Sequence, residues 1–241
     1  MINDLQITDS FTTRQFFIQH LAAYEHVKLY AKDKVVLDAG MGDGYGANHL
    51  ADIAKEVVGI DIEDSEVGKA RKRFMRSNLK FSVGSLLNID FPDSYFDIVI
   101  SSQVVEHIEL DMLSKYLSEI FRVLKNGGIF FVCTLNLFNN LKGRSLGKYD
   151  KNPEHIKEFM HEELKNLLLT RFKEAEILGL QKCPKHIFYT LLKKSGIFKM
   201  IPVKLNPVNR FFDNIIDLSD FKFTSRNLNK YMDLMGICHK L

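Results

Sequence analysis

Little in this sequence points to a covalent staple, a leader or a membrane. Three cysteines, Cys133, Cys183 and Cys238, occur in 241 residues, and no two form a CxxC pair. That pattern excludes a disulfide framework and a cysteine-ligated zinc site, and it fits a reducing compartment. Five prolines and 14 glycines are too few for a string of linkers. The longest apolar runs, such as Ile129 to Cys133, are far shorter than a membrane span. Met1-Ile2-Asn3-Asp4 has neither the basic start nor the apolar stretch of a secretory leader. A cytoplasmic location is therefore expected. Charge of neither sign dominates: 33 Lys and Arg face 30 Asp and Glu. A balance that even does not make a dedicated nucleic-acid binder, so nucleic acid is not an expected partner. What is present is 46% hydrophobic residues, enough for one large domain, or a little more, to bury its own core.

The first half alternates two periodicities. Lys34 to Asp38, Glu56 to Asp61, Leu79 to Val83, Phe96 to Ser101 and Ile129 to Leu135 read as short apolar strands. Between them lie helical stretches, Ala47 to Lys55, Ser65 to Ser77 and Asp111 to Leu124. The second is expected to bury Val67, Ala70, Phe74 and Met75. The third carries Leu113, Leu117, Ile120, Phe121 and Leu124 at spacings of three and four. Lys125-Asn126-Gly127-Gly128 is expected to end that helix as C-terminal glycines do. A helix at about Thr13 to Tyr30 would cap the sheet. Glu162 to Phe172 reads as a helix, Ala175 to Leu180 as a sixth strand and Tyr231 to His239 as a last one. Alternation with near-continuous apolar strands implies α/β architecture with a mostly parallel sheet covered on both faces. Ligands then bind beyond the strands' carboxyl ends, at the switch point.

The sharpest local feature is Leu37-Asp38-Ala39-Gly40-Met41-Gly42-Asp43-Gly44-Tyr45-Gly46. A strand ends, the chain turns on glycines and a helix begins. Such a turn lets backbone approach a ligand closely, and the helix N-terminus offers free N–H groups. Asp61 ends the second strand about 20 residues later, where a carboxylate accepts hydrogen bonds from ribose hydroxyls. Together these indicate an adenosine-type cofactor. Gly42-x-Gly44-x-x-Ala47 also fits a dinucleotide fingerprint, but the charge of Asp38 would repel a pyrophosphate and attract an ammonium or sulfonium.

Asp38-x-Gly40-x-Gly42-x-Gly44 resembles motif I of the class I S-adenosylmethionine-dependent methyltransferases. Val58-Gly59-Ile60-Asp61 is similar to their second motif. Phe91-Pro92-Asp93-x-x-Phe96-Asp97-Ile98-Val99, followed by Val105-Glu106-His107-Ile108, is similar to their fourth-strand region. Arg122-Val123-Leu124-Lys125-x-Gly127-Gly128 is similar to the lead-in to their fifth strand. The nearest likeness is to the methyltransferase type-11 group, and it fades after Leu180. Asn152-Pro153-x-His155-x-x-Glu158-Phe159 also resembles a fragment of bacterial members.

The resemblance implies a Rossmann-like, doubly wound seven-stranded sheet with an antiparallel last strand and a helical C-terminal insertion. It implies S-adenosylmethionine as cofactor, S-adenosylhomocysteine as product and no metal. Gly40, Met41, Gly42 and Gly44 would pack against the methionine part, with Asp38 near its amino group. Asp61 would hold the ribose, with Ile62 against the adenine. Ser85 and Leu86 would flank the adenine edge, although the family usually has Asp where Ser85 stands. Ser102 and Gln103 would line the cofactor after the fourth strand. His107 and His155 are the candidate catalytic residues, as proton acceptors. The alternatives are a backbone-bonded histidine for the first and a loop-ordering one for the second. Glu106 reads as structural, bonded to a helix terminus, and Tyr149 and Asp150 are weaker candidates.

These readings divide the chain into a helical cap (1–30), a cofactor-binding core (31–180), a basic helical insertion (181–230) and a last strand (231–241). Lys182 to Lys204 contains no acidic residue. It is expected to be a cap shaping the substrate site or a peripheral membrane contact. The activity expected is methyl transfer to a small-molecule acceptor. Alternatives are a protein or RNA methyltransferase, a non-catalytic cofactor-binding subunit, and an NAD-dependent dehydrogenase. Ser101-Ser102-Gln103-Val104 stands where base or glutamine amino-methylases carry Asn/Asp-Pro-Pro-Tyr/Phe, which argues against amino-group methylation of bases or glutamine.

Overall fold

The computed structural model describes residues 14–141, 143–145, 148–149, 151–181, 183–194 and 206–241. Its elements, in chain order, follow the alternation read from the sequence. α1 (Arg14–Lys28), β1 (Val35–Ala39), α2 (Tyr45–Leu50), β2 (Glu56–Asp61), α3 (Asp64–Arg73), β3 (Leu79–Val83) and β4 (Phe96–Ser102) make the first half. α4 (Leu113–Val123), β5 (Leu124–Leu135), α5 (Leu137–Leu141), α6 (His161–Leu169) and β6 (Ala175–Gln181) follow. α7 (Pro184–Lys194), α8 (Pro207–Ile215), β7 (Lys222–Thr224) and β8 (Asp233–His239) complete the chain.

The strands form one sheet in the order β3-β2-β1-β4-β5-β8-β6-β7. β3, β2, β1, β4 and β5 pair in parallel, and β8 is antiparallel to both β5 and β6. The expected doubly wound sheet with its antiparallel last strand is there. An eighth strand extends it: β7 adds to the edge of β6 from within the stretch expected to be purely helical. Three residues of Lys-Phe-Thr are too short to show a period in the sequence.

The order reverses between β1 and β4, so connections leave these neighbouring strands in opposite directions and open a crevice beyond their carboxyl ends. Helices cover both faces. α1, α2 and α3 bury Phe17, Leu21, Leu50 and Val67 on one face. α4 and α6 bury Leu117, Ile120, Leu164 and Leu168 on the other.

Two local expectations are corrected. Gly127 and Gly128 do not cap α4, whose C-cap is the extended Leu124. They lie in β5, where the register shifts from Phe96↔Leu124 to Ile98↔Ile129. Gly127 takes φ +77° there and donates its N–H to Lys240 O at 2.6 Å. The glycines thus form a bulge pinned by the last strand's end. Met75 is not on the buried face of α3, because the helix ends at Arg73 and leaves Met75 86% exposed.

The described part of the insertion packs against the α1 side of the sheet. Tyr189 of α7 donates its hydroxyl to Asn209 of α8 at 2.8 Å, and Arg14 of α1 donates to Ile216 O at 2.8 Å. Lys185 pairs with Asp220 at 3.0 Å. Of the basic stretch, Lys182 and residues 195–204 lie outside the described residues. All three cysteines are free and buried.

Candidate active site

A cavity of about 780 Å³ opens at the β1/β4 switch point. Its walls come from the loops that follow β1, β2, β3 and β4, together with α1 and α2. Nine of the eleven expected cofactor residues line it: Gly40, Met41, Gly42, Asp61, Ile62, Ser85, Leu86, Ser102 and Gln103. The strand order sets how they are spread. Asp61, Ile62, Ser85 and Leu86 lie toward the β2/β3 side, and Ser102, Gln103 and His107 toward β4.

The glycine turn is built by backbone conformation. Gly40, Gly42 and Gly44 take φ of +82°, +55° and +80°, a region that costs a residue with a Cβ roughly 1–2 kcal/mol. At Gly40 a Cβ would also stand 2.4 Å from Val104. At Gly42, which lines the cavity, a Cβ would meet nothing within 4 Å. Such a bare backbone surface is what a closely held ligand requires.

Asp61 is fixed by this turn. Its Oδ2 accepts the Gly42 N–H at 2.8 Å and its Oδ1 accepts the Glu63 N–H at 3.0 Å. Each carboxylate oxygen keeps a second lone pair, so the group is oriented and still able to take two hydroxyl donors. Gln103 is held in the left-handed region, φ +57°, with its N–H on Cys133 O at 2.8 Å. Ser85 Oγ accepts the Leu87 N–H at 3.2 Å.

Asp38 and Gly44 do not line the cavity. Gly44 faces Ala70 and Phe81. Asp38 is fully buried behind the turn, where Tyr24 donates its hydroxyl to Oδ1 at 3.2 Å. Its Oδ2 has no hydrogen-bond partner. Burial pushes the carboxyl up to about 7; the Tyr24 hydroxyl opposes this and the charge of Asp61 adds to it. A raised carboxyl destabilises the fold where the unfolded chain is ionised and the folded one is not. Stability should therefore fall as pH rises from about 4 to about 7, by an amount on the order of 4 kcal/mol at full effect. Asp38→Asn is expected to remove this component of the slope, measured as urea midpoints at a series of pH values for both proteins. Equal slopes would show that Asp38 titrates normally.

His107 and His155 are brought together, but only His107 reaches the cavity. The two rings stand 4.9 Å apart, edge to face. His107 Nδ1 lies 3.0 Å from Glu154 O. His155 is buried, with Nδ1 2.8 Å from Glu158 Oε1 and Nε2 3.1 Å from the Asn152 amide. Glu106 is not bonded to a helix terminus. Its main-chain oxygen accepts the N–H groups of Ile156 and Lys157 at 2.7 and 3.1 Å. Its carboxylate is fully buried without a hydrogen-bond partner. Burial pushes it up to about 7; its own backbone N–H and the Thr134 hydroxyl oppose this, and the charges of Asp233 and Glu158 add to it. Tyr149 does not line the cavity, and Asp150 lies outside the described residues.

The cavity also contains residues not anticipated from the sequence. His20 and Tyr24 reach it from α1 and Tyr45 from α2. Burial holds His20 down to about 4, so it is neutral at physiological pH. His20 and Tyr24 are four apart in a stretch expected to be helical, so they share a face. That spacing was the available signal. No described residue of 183–230 lines the cavity.

The residues present fit an adenosyl cofactor with an amino-acid tail. A cradle of backbone that a Cβ would fill adjoins a pinned carboxylate, and an orphaned buried carboxylate oxygen lies behind them. Residues 37–132 match the model of the methyltransferase domain family. A Probable S-adenosylmethionine-dependent methyltransferase of Mycolicibacterium smegmatis is 36% identical over 166 residues, 68% of this chain and 62% of that protein. A similarly named protein of Mycobacterium tuberculosis is 30% identical, over 70% of this chain and 60% of its own length. The chain thus spans about three fifths of the length of these relatives. A sterol 24-C-methyltransferase of Pneumocystis carinii is 32% identical over 60% of this chain and 38% of that one. The fold is shared with a SAM-dependent methyltransferase of Archaeoglobus fulgidus, with a TM-score of 0.62, 20% identity and 95% of both chains covered. It is shared too with the [4+2]-cyclase SpnF, at a TM-score of 0.58 and 20% identity, covering 92% of this chain and 80% of that one. The fold alone therefore does not fix the reaction; the matched sequence and the glycine–aspartate turn place this chain in the class I S-adenosylmethionine-dependent methyltransferases.

Proposed function

We propose that the chain transfers a methyl group from S-adenosylmethionine to a small-molecule acceptor in one in-line displacement. The observation that carries this reading is the meeting, in one cavity, of the Gly40–Gly42 backbone, the pinned Asp61 and the Ser102–Gln103 turn. The cofactor supplies a methyl group already activated on a sulfonium. What the chain contributes is position and exclusion of water.

Asp61 would take the ribose hydroxyls, Ile62 and Leu86 would face the adenine, and Gly40 and Gly42 would admit the methionine part. Asp38 would stand behind the amino group with an acceptor oxygen, in line with its unpartnered Oδ2, and an ammonium there would favour its ionised form. The cavity's β4 side, with Val104, His107, Ile108 and Met112, is left for the acceptor. Its apolar side chains suit an acceptor with an apolar body. Methyl transfer to a sterol, which the name of one relative states of that protein, is consistent with a small acceptor here. With Nδ1–H donating to Glu154 O, His107 keeps Nε2 as its basic nitrogen, able to orient an acceptor hydroxyl or take its proton.

The reading is tested by mass action. S-adenosylhomocysteine should raise the unfolding temperature in proportion to the logarithm of its concentration above Kd, and NAD should not. Stabilisation by NAD alone would overturn the methyltransferase reading. Turnover is then followed as S-adenosylhomocysteine release across acceptor classes, with sterols and sugars as separate arms.

A further inference from the structure

Three side chains with metal-ligating atoms converge at the edge of the cavity. Glu106, His107 and His155 each offer one such atom, and these atoms all lie within 4.8 Å of one another. Glu106 and His107 belong to the short turn Val105–His107 after β4. His155 comes from the 152–158 loop, which the Glu106 carbonyl ties to that turn through the N–H groups of Ile156 and Lys157.

Two independent features distinguish this cluster from chance proximity. First, the Glu106 side chain is completely buried, and neither carboxylate oxygen has a hydrogen-bond partner. Leaving such a group unsatisfied is costly, and a cation would satisfy it. Second, both histidines are already oriented through Nδ1. His107 Nδ1 lies 3.0 Å from the Glu154 carbonyl and His155 Nδ1 lies 2.8 Å from the Glu158 carboxylate. Glu158 is itself held, accepting from the Asn140 amide at 2.9 Å. Ligating histidines carry this kind of second partner, a carbonyl or a carboxylate on the nitrogen away from the metal. It leaves Nε2 of each ring as the nitrogen with a lone pair. In His155 that lone pair accepts a single amide hydrogen bond from Asn152 at 3.1 Å, which a cation can replace.

We propose that Glu106, His107 and His155 form a divalent-cation site, with the Glu106 carboxylate and the two Nε2 atoms as ligands. Two imidazoles and one carboxylate suit zinc, cobalt or ferrous iron. Magnesium and calcium prefer all-oxygen sets. This departs from the metal-free site that the family resemblance implies. Of the three ligands only His107 lines the cavity, so the open coordination positions lie on its side. With the cation bound, His107 Nε2 is a ligand and no longer a proton acceptor, and the cation itself would orient the acceptor; an acceptor presenting an oxygen to it is the substrate class such a site would take. That last clause rests on the methyl-transfer reading, whereas the metal site stands on its own geometry.

The test uses the untagged full chain, stripped with chelator, freed of it and titrated with Co²⁺. The expected result is saturable visible d–d absorption at about one ion per chain, abolished by added Zn²⁺. His107→Gln, at an exposed position, should keep the far-UV spectrum and bind Co²⁺ roughly tenfold more weakly or worse. His155→Gln should do the same; if it fails to fold, His107→Gln decides. Absent d–d bands in the parent chain, or unchanged Co²⁺ affinity in His107→Gln, would overturn the site. Calorimetry with S-adenosylhomocysteine on the same samples separates the two readings. Metal binding without nucleoside binding removes the methyl-transfer reading alone, and the reverse removes the metal site alone.

Discussion

Asp61→Ala is expected to cost the chain most of its affinity for S-adenosylhomocysteine while leaving it folded. The expectation follows from how the carboxylate is held. Two backbone N–H groups, from Gly42 and Glu63, fix its plane, so its remaining lone pairs are aimed before a ligand arrives. A hydrogen bond to a charged group contributes about 1.5–3 kcal/mol. Losing two to the ribose hydroxyls is then worth about 3–6 kcal/mol, a hundredfold or more in Kd. The same substitution frees the Gly42 N–H, which loosens the turn and adds to the loss. The fold should survive, because Asp61 is the last residue of β2 and its side chain is only half-buried. Asp61→Asn keeps one acceptor oxygen and should fall between the two. Isothermal calorimetry of the three proteins, with circular dichroism as the folding control, makes the comparison. An unchanged Kd in Asp61→Ala would mean that the ribose is held elsewhere.

Asp61 was legible in the sequence for the reason that makes it testable: position along a parallel strand fixes where a side chain emerges. The same holds for Ser102, the last residue of β4, and for Gly40, Gly42, Ser85 and Gln103, each one to three residues beyond a strand. Period and punctuation located the expected strands to within a residue or two, except for the start of β5, which lies five residues earlier, and the doubly wound order then brought their ends together. What the sequence did not convey depends on packing across the chain. Asp38 ends the same strand as the glycine turn begins, yet its side chain points into the protein, against Tyr24 of α1. No spacing rule connects residues 24 and 38. His155 and Glu158 read as a loop fragment, and only the tie between Glu106 O and residues 156–157 puts them behind His107. The glycines at 127 and 128 do not reveal their role in the sequence, because a helix stop and a β-bulge use the same residue. The insertion's lysines suggested a role at the cavity, but charge alone carries no direction, and its described helices pack against α1.

The largest stability effect is expected from a position that looks harmless. Gly46 lies in the first turn of α2, where alanine would ordinarily gain about 1 kcal/mol of helix propensity. Here a Cβ would stand 2.1–2.5 Å from three atoms of the Tyr24 ring. That ring is held on several sides. It is 2% exposed, its hydroxyl is bonded to Asp38, and it packs edge-on to Tyr45 at 5.6 Å. Overpacking of this kind costs about 1–3 kcal/mol and sometimes more, and the cost should exceed the gain. Gly46→Ala is therefore expected to lower Tm by several degrees, at about 2–4 °C per kcal/mol for a chain of this size. Gly68→Ala in α3, where a Cβ would meet nothing within 4 Å, supplies the opposite sign: a small rise in Tm. The steric cause is isolated by a double-mutant cycle with Tyr24→Ala, which on its own opens a cavity. Once the ring is gone the added methyl has room, so the double variant should be more stable than the sum of the singles by about 1–3 kcal/mol. Strict additivity would show that Gly46 is constrained by something other than Tyr24. Because Tyr24 and Tyr45 both line the cavity, any shift of the ring that accommodates the methyl should also weaken S-adenosylhomocysteine binding. Stability and affinity would then fall together in Gly46→Ala, whereas Gly68→Ala leaves affinity unchanged.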